Sequence, residues 1–198
     1  MSPRHSAVVR ITHWITTLSF LGLLVSGVAI LLAHPRLYWG ETGSVGTPSL
    51  IDLPLPFVLV GQTGWGRYLH FLSAWVCVLT GLLYGLSGLL TRHFRKNFLS
   101  ADSAYNVLQR LTYLGVVFVL FPLMTWTGLA MSPSITSVFP VLVEAFGGQQ
   151  SARTIHFLIA VLLVLFLIIH ITMVYRAGFR SRVGAMIRST HEQPILTP

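Results

Sequence analysis

Acidic residues are nearly absent from this chain, with five Asp and Glu among 198 residues. All five (Glu41, Asp52, Asp102, Glu144 and Glu192) fall outside the long apolar runs, which excludes a proton path built on carboxylates buried in them. Cysteine is scarcer still. The single Cys77 excludes an intramolecular disulfide and, set in an apolar run, reads as a small buried residue. There is no H-E-x-x-H, no Walker motif and no G-x-G-x-x-G fingerprint, so the common zinc-protease and nucleotide-binding signatures are missing. Charge of either sign is sparse, at 9% of residues where a soluble domain carries about a quarter. Such a chain cannot cover a globule with polar surface. What is present is hydrocarbon: 54% hydrophobic residues and a mean hydropathy of +0.74, the composition of an integral membrane protein.

Four segments, about residues 8–33, 66–90, 105–131 and 152–177, are long enough to cross a bilayer core. They predict an all-α integral membrane protein, one membrane domain over residues 1–198 built as a four-transmembrane-helix bundle. The N-terminal run imitates a signal peptide, but it is long and lacks an A-x-A-like cleavage site, so it reads as a retained first helix. Residues 91–104 form a short basic loop. The longer connections are residues 34–65, rich in Pro and Gly, and 132–151, where "TSVFPVLVEAFGG" suggests a short helix on the membrane surface. One side of the bilayer would hold Arg4, Arg10, Arg92, Arg95, Lys96, Arg110, Arg176, Arg180, Arg182 and Arg188. The other would hold only Arg36, Arg67 and Arg153. The positive-inside rule then predicts both termini in the cytoplasm and the loops 34–65 and 132–151 facing outward. This asymmetry accounts for the net charge of +8 without a nucleic-acid partner; the partner implied is the lipid bilayer.

His5, His34, His93 and His191 lie in loops or termini and read as solvated side chains. His13, His70, His156 and His170 lie within spans, where an ionisable residue is a functional candidate by default. His156 and His170 are 14 residues apart on one span, about 40° short of four full turns and about 21 Å apart along the axis. One helix face therefore offers an imidazole near each membrane surface. Span direction puts His70 level with His156 outside, and His13 level with His170 inside. Each pair draws on two helices, as the two axial ligands of a haem in a bundle core must. A lone intramembrane histidine would pass as a helix–helix hydrogen bond. Covalent attachment of haem is excluded because no C-x-x-C-H is present. Zinc or copper would need three or four ligands at one point rather than two distant pairs.

Gly27 lies 14 residues after His13 on the same helix face, at the outer level; Gly81, Gly85 and Gly88 approach the inner level on the second span. They read either as clearance for a flat macrocycle or as ordinary small-residue packing. Arg10, Arg67, Arg153 and Arg176 sit near the histidines toward the closer surface. They suit haem propionates, which guanidinium matches bidentately, or interfacial snorkelling. Trp14, Trp39 and Trp65 read as an aromatic belt.

The segments R-x-x-H-W (Arg10–Trp14), G-x-x-R-x-x-H (Gly64–His70) and R-x-x-H (Arg153–His156) followed by His170 resemble the prokaryotic di-haem cytochrome b family. That family includes the cytochrome b subunits of nickel–iron hydrogenases, formate dehydrogenases and thiosulfate reductases, and the superoxide oxidase branch. The resemblance spans about Arg10 to Arg180, but the chain lacks the fifth span of hydrogenase-type subunits. It implies two haem b, the inner on His13 and His170 and the outer on His70 and His156. It implies a bacterial inner-membrane subunit exchanging electrons between ubiquinone or menaquinone, bound near the inner haem, and a periplasmic redox protein. The loop "HPRLYWGETG" (His34–Gly43) is similar to the thiosulfate-reductase-type branch, which points to a molybdopterin oxidoreductase as that protein, or else a c-type cytochrome. Two alternatives stay open: a superoxide oxidase, which would want a cationic outer face where the count here is net zero, and a haem-free anchor or transporter.

Overall fold

The computed structural model describes residues 6–43, 46–54, 63–91 and 107–187. Arg4, His5, Arg92, His93, Arg95, Lys96, Asp102, Arg188, His191 and Glu192 lie outside the described residues, as does most of the short basic loop. Four helical spans are present: α1 (Ala7–Ala33), α2 (Thr63–Leu90), a third built from α3 (Val107–Gly115) and α4 (Phe121–Ala130), and α7 (Gln149–Arg176). Lengths of 27 and 28 residues for α1, α2 and α7 correspond to about 40 Å, enough for a hydrocarbon core of about 30 Å. The chain is a multi-pass membrane protein. Between α1 and α2 two short strands, β1 (Arg36–Leu37) and β2 (Ile51–Asp52), pair antiparallel with Arg36 opposite Asp52; this is a small departure from the all-helical expectation. The expected surface helix in the second long loop is two single turns, α5 (Pro133–Thr136) and α6 (Val141–Glu144). A nine-residue helix, α8 (Phe179–Ile187), closes the described chain.

Burial is inverted relative to a soluble bundle. Leu18, Leu72, Leu82, Val119, Leu165 and Ile168 are exposed, where lipid tails would cover them, while the interior is small and hydroxylic. On α1 the buried Thr12, Ser19 and Ser26 recur every seven residues, and α2 repeats the device with Gly66, Ser73 and Thr80. A seven-residue repeat holds a seam against one partner helix. The fit is close: a Cβ on Gly22 would overlap Ser73 Oγ, and one on Gly66 would lie 3.3 Å from Ala29 Cβ. The buried hydroxyls remain satisfied because each donates to the carbonyl one turn back: Thr12 to Val8 at 2.7 Å, Ser19 to Ile15 at 2.7 Å, Ser26 to Gly22 at 2.6 Å.

The third span is not a uniform α-helix. Val116–Leu120 form a π turn in which the Phe121 N–H donates to the Val116 carbonyl, five residues back. Pro122 follows, with no N–H to give the ladder, and a widened turn accommodates it. α1 packs against α2, and α4 against α7, so the bundle reads as two helical hairpins facing each other.

Both long loops lie at one end, the loop side; the other end, the termini side, carries the start of α1 and α8, joined by a hydrogen bond from Trp14 Nε1 to the Met186 carbonyl at 3.1 Å. On the loop side the first loop is fastened to α7. The N–H groups of Gln150 and Ser151 donate to the Gly40 carbonyl at 3.0 and 3.3 Å, and the Gly40 N–H donates to Ser151 Oγ at 2.7 Å. Thr154 Oγ1 donates to the Tyr38 carbonyl at 2.6 Å. A helix start has free N–H groups to give, and here a loop carbonyl takes them. Gly148 permits the approach: its φ is +127°, and a Cβ there would overlap the backbone of Gly40 and Glu41. This anchoring starts α7 three residues before the expected Ala152.

Candidate functional site with two histidine pairs

The fold brings the four intramembrane histidines together in two pairs. On the loop side, His70 of α2 faces His156 of α7 with ring centres 6.2 Å apart and planes at 57°. On the termini side, His13 of α1 faces His170 of α7 at 6.4 Å and 63°. These separations test what could lie between the rings. A metal–nitrogen bond of about 2.0–2.1 Å on each side, plus about 1.1 Å from nitrogen to ring centre, spans about 6.3 Å. Both pairs match one ion held axially by two imidazoles. Among the described residues no three His, Cys, Asp or Glu side chains converge, so each pair offers two protein ligands and an equatorial set must come from elsewhere. A haem macrocycle supplies that set.

The loop-side pair has an ordered surround that sequence reasoning missed. Ser26 Oγ lies 3.0 Å from His70 Nδ1, and Thr127 Oγ1 lies 2.9 Å from His156 Nδ1. Both hydroxyl residues are fully buried. The glycine after each hydroxyl lies against the same imidazole. A Cβ on Gly27 would come within 3.8 Å of His70 Cε1, and one on Gly128 within 3.6 Å of His156 Cε1. The two hairpins therefore carry the same device: Ser26-Gly27 facing Arg67-x-x-His70, and Thr127-Gly128 facing Arg153-x-x-His156. A hydroxyl–glycine pair late in a span, followed by R-x-x-H early in the next, was a readable signal of an internal repeat.

The termini-side pair is surrounded differently. Tyr113 OH stands 3.5 Å from His170 Nδ1, Phe166 stacks on the His170 ring with planes at 25°, and Trp14 meets His13 edge-on at 5.5 Å. Close by, Arg10 has a buried Nε with no hydrogen-bond partner among the described residues. A buried guanidinium N–H without an acceptor is costly and calls for an anion, and a haem propionate has that chemistry.

The other candidates separate. Arg153 is committed elsewhere: its terminal nitrogens donate to the His34 carbonyl and, at 3.2 Å, to the Arg36 carbonyl, so it clamps the first loop rather than waiting for a propionate or snorkelling to lipid. Gly81 is filled by its neighbour, since a Cβ there would strike the Phe121 ring; helix packing explains it, not macrocycle clearance. Gly85 has nothing within 4 Å of such a Cβ among the described residues, which leaves the clearance open. Arg67 is exposed and, with Gly64, Tyr68 and Phe71, lines a loop-side depression of about 290 Å³. Arg176 is exposed at the last turn of α7. His34, placed among the solvated histidines, is exposed and caps α1; partial burial, then Arg153 and Arg67, push its pKa below the ordinary imidazole value.

Residues 4–189 match the family described as prokaryotic cytochrome b561. The chain is also similar to a protein of Azospira oryzae that carries the name protein-methionine-sulfoxide reductase subunit YedZ1. The two are 31% identical over 191 residues, covering 86% of this chain and 89% of that protein.

Proposed function

This chain belongs to the prokaryotic cytochrome b561 family, a membrane electron-transfer subunit of a haem b-binding kind, and from that premise we propose that it holds two haem b and passes electrons from quinol to an oxidoreductase docked on its loop side. The observation that carries the reading is the pair of imidazole separations, 6.4 and 6.2 Å, on opposite levels of one bundle. His13 and His170 would hold the termini-side haem, and His70 and His156 the loop-side one. With two imidazoles at each level, a bound haem would supply a one-electron iron centre suited to electron transfer rather than oxygen chemistry.

The chain's own residues do the rest. Gly27 and Gly128 leave room beside the loop-side imidazoles, and Arg10 offers a buried N–H to a carboxylate on the termini side. Exposed Leu, Ile and Val cover the bundle against lipid, and the loop fastened through Gly40, Tyr38 and Arg153 caps the loop-side level. The arginine bias supports termini in the cytoplasm and loops in the periplasm of a bacterial inner membrane. The name of the Azospira protein favours, as partner, a reductase acting on methionine sulfoxide in proteins. The balance suits a quinol donor. One quinol releases two electrons and two protons, and one sulfoxide consumes two of each as its S–O bond breaks, giving thioether and water. Electrons would enter from ubiquinol or menaquinol near the termini-side pair and leave near the loop-side pair.

The test is a reduced-minus-oxidised spectrum of the purified protein with a haem assay. Two haem b per chain, reducible by quinol, are expected; a colourless protein, or one haem per chain, would overturn the reading.

A further inference from the structure

We propose that Ser26 and Thr127 are positioning residues that fix His70 and His156 as Nδ1–H tautomers and thereby hold the loop-side haem at a lower potential than it would otherwise have. This rests on the two-haem reading above and adds to it a role for two hydroxyls outside the ligand set.

A hydroxyl has one proton to give. Ser26 Oγ lies 2.6 Å from the Gly22 carbonyl and 3.2 Å from that of Leu23. Thr127 Oγ1 lies 2.9 Å from the Leu123 carbonyl and 3.0 Å from that of Met124. A carbonyl only accepts, so each hydroxyl proton is directed into its own helix. Toward the imidazole the oxygen can then only accept, and Nδ1 of His70 and of His156 must carry the hydrogen. The opposite tautomer would turn the hydroxyl proton away from both helix carbonyls and put a hydrogen on Nε2, the nitrogen an iron ligand must leave bare. Both hydroxyls are fully buried, so no bulk water offers a substitute.

Two consequences follow. Nε2 of each ring keeps its lone pair, which prepares the site before iron arrives. Donation from Nδ1–H also makes Nε2 more basic. A more basic axial ligand favours the ferric state and lowers the midpoint potential. At the other level the Tyr113 hydroxyl is 3.5 Å from His170 Nδ1, at the limit of a hydrogen bond, so this contact affects His170 more weakly.

The experiment is a potentiometric titration of the purified full-length protein, following both b-type components, in wild type, Thr127→Val, Ser26→Ala and Thr127→Ser. Thr127→Val keeps the shape and removes the hydroxyl; Thr127→Ser keeps the hydroxyl. Valine at 127 and alanine at 26 should each raise the midpoint of the same single component and weaken retention of that haem about 10- to 100-fold. Thr127→Ser should stay near wild type. If Thr127→Val and Ser26→Ala leave both midpoints in place, or if Thr127→Ser loses haem as fully as Thr127→Val, the hydroxyls serve packing alone and the inference fails, while two haems per chain still stand. A wild-type protein without two b-type components fails the earlier reading instead.

Discussion

The two histidine pairs share a separation and little else. On the loop side each imidazole meets a fully buried hydroxyl at 2.9–3.0 Å and a glycine from the adjacent span, and a fastened loop lies above. On the termini side a tyrosine stands 3.5 Å away, aromatic rings flank the imidazoles, and an arginine N–H is left unpaired among the described residues. The loop-side pair is symmetric because each of its histidines opens the second helix of a hairpin. The termini-side pair joins the first half of one hairpin to the end of the other, so no repeat relates its surroundings. The separation of the imidazoles is thus common to both levels while the groups around them differ.

The largest break in this comparison should come from the ligands. His156→Ala should reduce the haem content from two to one and leave a single b-type component, whereas His13→Ala should remove the other; a haem assay and spectrum on each variant decide it, and loss of both haems in both variants would contradict independent sites. Next comes the loop. Gly148→Ala places a side chain at φ +127° against the Gly40 backbone and should cost at least about 2 kcal/mol, seen as faster proteolysis of the first loop with the termini-side spectrum unchanged. A smaller effect is expected at the weaker hydrogen bond: Tyr113→Phe should move the termini-side midpoint less than Thr127→Val moves the loop-side one. An equal or larger shift would invert the ranking drawn from 3.5 against 2.9 Å.

The smallest concerns pH. His34 has a folded pKa below its unfolded value, so the unfolded chain binds the extra proton first as pH falls. Its contribution is intact well above the ordinary imidazole value and is lost as pH drops below about 6.5, when a charged ring would join Arg153 and Arg67. Hydrogen-exchange protection at residues 34–43, corrected for the intrinsic rate at each pH, should fall as pH is lowered from about 7.5 to about 5.5, and His34→Gln should flatten that fall.

Much of this was legible before any coordinates. Apolar length located all four spans, and 14 residues between His156 and His170 set the two levels, because turn angle and rise are local quantities. Gly27 was placed on the correct face by the same arithmetic, and it does lie against His70. Other assignments failed where they depended on a distant neighbour. Gly81 read as clearance or as packing, and Phe121 occupies the space; Arg153 read as a propionate partner or a snorkelling anchor, and loop carbonyls 117 and 119 residues away accept from it. The Ser26 and Thr127 hydroxyls could not be paired with a histidine from the sequence, because nothing in their own helices reveals which imidazole they face.

The sequence by itself determined the membrane character, the span count, the charge asymmetry and the depth of each histidine. All of these follow from hydrophobic length and helical periodicity along one chain. Only the tertiary structure decided the rotation of α1 against α2 and of α4 against α7. That rotation brings Ser26 to His70 and Thr127 to His156 across 44 and 29 residues of chain, and close packing of small side chains between whole helices is what sets it.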